Sequence, residues 1–203
     1  MKAAQIVGMI LFIIFYGSYF RKSYSEKKNG ISVGRIIRGV KPVRTKIIEF
    51  FLIFFTCAIA TIEFLSIIYY KSWPLLLSGI KGGGSVAVFL LGTFISAAGI
   101  FFFLWAMHDM KENWRAGIDE TQNTGLVTKG IYRFSRNPAF VGFDLFYIGF
   151  AIIFSNGLMI LFTILAIFTL HMQIKEEEKF MEKRFGGSYL EYKKKTKRYL
   201  IFV

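Results

Sequence analysis

Apolar residues in this chain come in long unbroken runs, not in the alternating or every-third-and-fourth patterns of elements that bury one face. Residues 4–20, 47–70 and 85–107 are each long enough to cross a bilayer as a helix. Two shorter runs, 139–154 and 158–172, are separated only by Ser155, Asn156 and Gly157, a turn so tight that it predicts a helical hairpin. The last run continues without a breaker through Lys175 and three glutamates to Phe185, where Gly186 and Gly187 would end the helix. Its charged end should therefore stand clear of the bilayer. The first run is read as a helix and not as a cleaved leader, because it lacks a small-residue cleavage site and its basic loop follows it. The pattern predicts an all-α integral membrane protein with about five transmembrane helices. It divides into residues 1–84, two helices and a basic loop, and residues 85–203, a third helix, a polar loop, the hairpin and a tail.

Composition sharpens this picture. Of 203 residues 54% are hydrophobic and 24 are Phe, with a mean hydropathy of +0.48, which excludes a water-soluble domain of this size. The formal charge of +13 would fit a nucleic-acid binder, but its placement argues for a membrane. Nine basic residues lie between Arg21 and Lys46 and nine more between Lys175 and Arg198, whereas only Lys71 and Lys81 separate the second and third runs. That asymmetry keeps basic loops in the cytoplasm, close to anionic lipid headgroups, and predicts the N-terminus outside and the C-terminus cytoplasmic. No nucleic-acid-binding module surrounds the basic stretches, so the expected partners are membrane lipids. Small residues Gly92, Ser96, Ala97, Ala98 and Gly99 allow the third helix to pack closely. Cys57, alone in the chain, reads as a packing residue.

Ionisable residues inside the apolar runs are candidates for function. Asp144 lies six residues into the hairpin and is read as lining a substrate pocket, with a structural hydrogen bond or a protonated acid as the alternatives. Glu63 is similar, while Glu49 is near enough to a helix end to snorkel. His108 and His171 have no neighbours at ligand spacing, so no metal site is expected. The stripe of Lys175, Lys179 and Lys183 is a solvated face on composition alone. Asn113, Trp114 and Arg115 would line a pocket or sit at the interface.

Two polar clusters flank the hairpin. One ends in Tyr132, Arg133, Phe134, Ser135, Arg136, Asn137 and Pro138; the other is Glu176, Glu177 and Glu178. Antiparallel helices would bring Arg136 and the glutamates together. Pro138 suits a first helical turn, whose free N–H groups, with Arg136, would favour a carboxylate or phosphate.

The string from Gly125 through Lys129, Gly130, Tyr132, Arg136, Asn137 and Pro138 to Gly142, followed by Glu177-Glu178, Phe185-Gly186, Tyr189 and Tyr192, resembles the isoprenylcysteine carboxyl methyltransferase family. That wider group includes phospholipid N-methyltransferases. The resemblance covers about residues 90–203 and implies an S-adenosylmethionine-dependent methyltransferase with a cytoplasmic cofactor pocket built from the last helices and the tail. It places the cofactor at Lys129, Gly130, Tyr132, Arg136, Asn137, Pro138, Phe140, Gly142, Glu177 and Tyr189. Arg136 and Glu178 take catalytic roles, and Asp144 and Gln173 face the substrate. Asn137 stands where the family has His, Phe140 where Tyr is common, and Gln173 where relatives often carry Arg. The aromatic rings at Tyr132, Phe140 and Tyr189 would face the sulfonium or anchor at the interface. The implied acceptor is a lipid or small hydrophobic carboxylate, amine or thiol. A membrane reductase of the sterol-reductase kind, using NADPH, and a non-catalytic protein that binds anionic lipid are the alternatives.

Overall fold

A computed structural model describes residues 2–28, 36, 37, 39, 41–69, 85–114, 117, 118 and 125–200. Tyr70, the connection expected between the second and third runs at residues 71–84, and Arg115 lie outside the described residues. Six α-helices hold most of the described residues: α1 (Lys2–Lys28), α2 (Val43–Ile68), α3 (Val86–Met110), α4 (Pro138–Ile153), α5 (Gly157–Phe185) and α6 (Gly187–Lys195). Of these, α1, α2, α3 and α5 are long and apolar enough to cross a membrane, which makes this an integral membrane protein. At 16 residues α4 reaches only about 24 Å, short of the roughly 30 Å hydrocarbon core.

Local chemistry sets the helix ends. Ser85 caps α3 by accepting the Ala87 N–H at 3.3 Å, and Asn156 caps α5 by accepting that of Met159 at 2.8 Å. Pro138 occupies the first turn of α4, where its missing N–H costs nothing. Gly186, at φ 51°, ends α5 and turns the chain into α6. The 29 residues of α5 run about 44 Å, so its charged third extends past the apolar stretch as expected.

The expected hairpin of α4 and α5 is present, but its two helices have other principal neighbours. Helix α4 lies along α3, and α5 lies along α2. Glycine decides the first pairing. A Cβ on Gly99 would meet the Phe146 backbone nitrogen at 2.5 Å, one on Gly142 the Gly99 carbonyl at 2.8 Å, and one on Gly149 the Gly92 carbonyl at 2.6 Å. The backbones of α3 and α4 therefore touch, which lipid cannot achieve and side chains would prevent. Helix α1 closes the bundle through Phe15, stacked on Phe146 at 3.8 Å and set against Phe103 and Phe143.

Polar ties cross the apolar interior. Thr45 of α2 donates to Glu176 of α5 at 2.8 Å, Asn156 to Ser66 at 3.2 Å, and Tyr16 of α1 to Glu63 of α2 at 2.7 Å. Two expectations need correction. Glu49 does not snorkel: it is fully buried, paired with Lys41 at 2.7 Å, and accepts the backbone N–H groups of Ile37 and Ile118. Its carboxylate thus pins two connecting segments over the start of α2. Cys57 is exposed on the outer face of α2 and does not pack in the interior.

Candidate functional site

The site lies where the start of α4, the charged third of α5 and the tail beyond α6 converge. The segment before α4 is shaped first. Residues Gly130–Arg133 form a 3-10 turn whose opening glycine has φ 63°. Any Cβ there would overlap the Asp109 carboxylate, which accepts the Ile131 N–H at 2.8 Å. Tyr132 is buried, and its carbonyl accepts the Tyr192 hydroxyl at 2.5 Å, fastening α6 to this turn. Lys129 stays exposed at the head of the turn.

Arg136 and Glu178 meet as the hairpin geometry predicts. Nε and Nη2 of Arg136 donate to Oε1 of Glu178 at 3.1 and 2.9 Å, and both side chains are buried. Nη1 of Arg136 donates to the carbonyls of Lys193, at 3.3 Å, and Thr196. Asn137 donates from Nδ2 to Glu178 and to the Arg198 carbonyl, each at 3.3 Å. Ser135 adds a bond to the same carbonyl at 3.0 Å. A second cation completes the cluster: Arg198 grips both oxygens of Glu178, with Nη2 at 2.8 Å from Oε2. Hydrogen bonding to Glu178 raises the pKa of Arg198 above its ordinary value.

Around this cluster stand the tyrosines. Tyr189 is buried beside Arg136 with its ring 6.1 Å from that of Tyr192; burial, reinforced by the charge of Glu178, pushes its phenol upward. Burial likewise raises Tyr192, and pushes Tyr199 up to about 12. The Tyr199 hydroxyl lies 2.8 Å from Nδ1 of His171, the rings stacked.

Not every residue singled out by the sequence joins the cluster. Glu177 points away from Glu178, as neighbours on a helix must. It accepts from Gln173 at 3.0 Å, and Lys41 and Glu49 are close enough to act on it. Gln173 keeps a buried Oε1, and Asp144 a buried Oδ1, with no partner among the described residues. Gly142 faces α3 in the glycine seam, and Phe140 packs against the core. Trp114 is buried edge-on to Tyr19, and Asn113 accepts the Gly125 N–H. Sequence reasoning missed Arg198, counted there only among the basic tail residues, and with it Tyr199, and it named Ser135 in the polar cluster without giving it a role. Nothing in a run of tail lysines and arginines distinguishes the one that folds back; its only signal is the adjacent tyrosine, a ring able to hold the strand against α5.

Comparison with known proteins follows the same stretch of chain. A model of the phospholipid methyltransferase family matches residues 87–188, half of the chain. Among curated relatives, protein-S-isoprenylcysteine O-methyltransferase of Xenopus laevis is 35% identical over 86 residues, 42% of this chain and 30% of that protein. The A form from Arabidopsis thaliana is 33% identical over 76 residues, 37% of this chain and 39% of its own length. The Schizosaccharomyces pombe protein is 37% identical over 72 residues, 35% of this chain and 30% of its own. The chain thus aligns with about a third of the length of these relatives.

Proposed function

Because the chain belongs to the phospholipid methyltransferase family, we propose that it transfers the methyl group of S-adenosylmethionine to a lipid or small hydrophobic carboxylate, amine or thiol at the cytoplasmic membrane face. The observation that carries this reading is the convergence of Arg136, Asn137 and Glu178 in one buried cluster at the end of the apolar bundle. It lies within the stretch that the family shares. The residues suit the donor. Two guanidiniums against one carboxylate leave a positive surplus for an anionic end.

When bound, S-adenosylmethionine supplies a methyl already activated on a sulfonium, so the protein must chiefly align an acceptor and exclude water. Arg136 and Glu178 hold the start of α4 and the end of α5 at a set separation. Tyr132, Phe140 and Tyr189 offer ring faces to a cation, with Lys129, Gly130, Pro138 and Glu177 completing the proposed cofactor surround. Asp144 and Gln173 face the acceptor. A carboxylate acceptor needs no base; for an amine or thiol, Oδ1 of Asp144 is the open oxygen able to take the proton. Glu178, saturated by two arginines and Asn137, orients the site and takes no proton. Taking α4, about 24 Å long, as a fifth crossing that a locally thinned bilayer accommodates, the N-terminus lies outside and the C-terminus in the cytoplasm.

The test is calorimetric binding of S-adenosylmethionine and S-adenosylhomocysteine to the detergent-purified chain, followed by a labelled-methyl screen of lipid acceptors. Saturable binding that weakens at least about tenfold in Glu178→Gln, a variant checked for folding by its melting curve, supports the reading. Folded protein that binds neither compound overturns it.

A further inference from the structure

Arg136 has little left to offer a ligand. Four of its five N–H groups are engaged within the protein, two on Glu178 and two on the carbonyls of Lys193 and Thr196, and its side chain is 3% exposed. Arg198 is placed differently. Its Nε and Nη2 hold Glu178 at 2.8 to 3.2 Å, but Nη1 donates to none of the described residues, and the side chain is 23% exposed.

The tail that carries Arg198 is well fixed. The Arg136 N–H donates to the Lys197 carbonyl at 2.9 Å, Ser135 and Asn137 both hold the Arg198 carbonyl, and Tyr199 is tied to His171. An arginine so anchored loses little freedom on binding, and its open edge has the fork geometry that carboxylates match. Arg136 and Arg198 share the single carboxylate of Glu178, so the largely buried cluster is one negative charge short of neutrality. An incoming carboxylate supplies that charge.

We infer that Arg198 is a ligand-binding residue of this site, receiving a carboxylate on its Nη1 edge, while Arg136 is the positioning residue that holds the tail and Glu178 in place. The inference rests on the methyl-transfer reading, under which the carboxylate belongs either to the amino-acid end of the donor or to the acceptor. Binding separates the two. Four probes are titrated into the full chain in detergent: S-adenosylhomocysteine, its decarboxylated counterpart, a prenylated cysteine with a free carboxylate, and the methyl ester of that cysteine. Wild type, Arg198→Gln and Arg198→Lys are compared, each with its melting curve.

The expected result is a preference for the carboxylated member of one pair of about tenfold or more in wild type. Arg198→Gln abolishes that preference without losing the fold, because Arg136 still pairs with Glu178, and Arg198→Lys restores part of it. Loss within the adenosyl pair assigns the carboxylate to the donor; loss within the prenyl pair assigns it to the acceptor. A wild type that binds a carboxylated probe while Arg198→Gln keeps the same preference in both pairs overturns the inference and leaves methyl transfer standing. Folded wild type that binds none of the four overturns both.

Discussion

At the residue scale the buried pair of Arg136 and Glu178 governs both stability and the site. Removing Glu178 strands two guanidiniums in a largely buried cluster, a loss of about 3–5 kcal/mol in comparable buried pairs, whereas removing Arg136 leaves Glu178 to Arg198 and unties the carbonyls of Lys193 and Thr196. Arg136→Ala should therefore lower the melting temperature in detergent by many degrees and abolish donor binding together. Arg198→Gln, with a partly exposed side chain, should move the melting temperature far less. The tyrosines make a second test. Burial raises the pKa of Tyr132, Tyr189 and Tyr192 above the ordinary phenol value near 10. An unfolded chain would ionise first as pH rises, so their contribution is fully present below about pH 10 and is lost above it. Absorbance titration near 295 nm should show these phenols ionising only as the protein unfolds; reversible ionisation in folded protein would contradict their burial. Arg136 and Glu178 were legible because an antiparallel hairpin must bring their two polar clusters together, and Asn137 through the resemblance to the family motif. Arg198 was not, because a tail rich in lysine and arginine looks the same whether one member folds back or all face water.

At the element scale the seam between α3 and α4 is the feature most exposed to a single substitution. Gly99→Val and Gly149→Val would force side chains into backbone atoms less than 3.0 Å away, so the helices must separate. Overpacking of this kind costs about 1–3 kcal/mol and often more where backbone is the obstacle. Gly17→Ala is the matched control. Nothing lies within 4 Å of it on α1, and helix propensity alone favours Ala by roughly 0.5–1 kcal/mol. Melting temperatures of the three variants should fall, fall and hold or rise, respectively. Helix existence and the hairpin turn could be read from the runs, since a continuous apolar stretch of that length has few other ways to satisfy its backbone. The partner of each helix could not. The small residues of α3 announced close packing, but only the fold matched them with Gly142 and Gly149 of α4.

At the scale of the whole molecule the arrangement predicts sidedness. With Cys57→Ser removing the native thiol, a cysteine at exposed Ser188 should react with an impermeant maleimide only from the cytoplasmic side, and one at exposed Gly157 only from the other. Equal labelling of both from one side would remove α4 as a crossing and overturn the five-span topology. Membrane residence, the helical class and the two polar clusters flanking the hairpin were determined by the sequence itself. Hydrophobic run length and the distribution of charge act through the solvent and need no tertiary partner. The tertiary structure alone decided that α4 packs on α3, that Glu49 is buried under two connecting segments, that Glu177 and Glu178 part company, and that Arg198 returns to share Glu178 with Arg136. Each of these depends on the meeting of residues distant in the chain, where close backbone approach and the pairing of buried charge select one arrangement among many that share the same pattern.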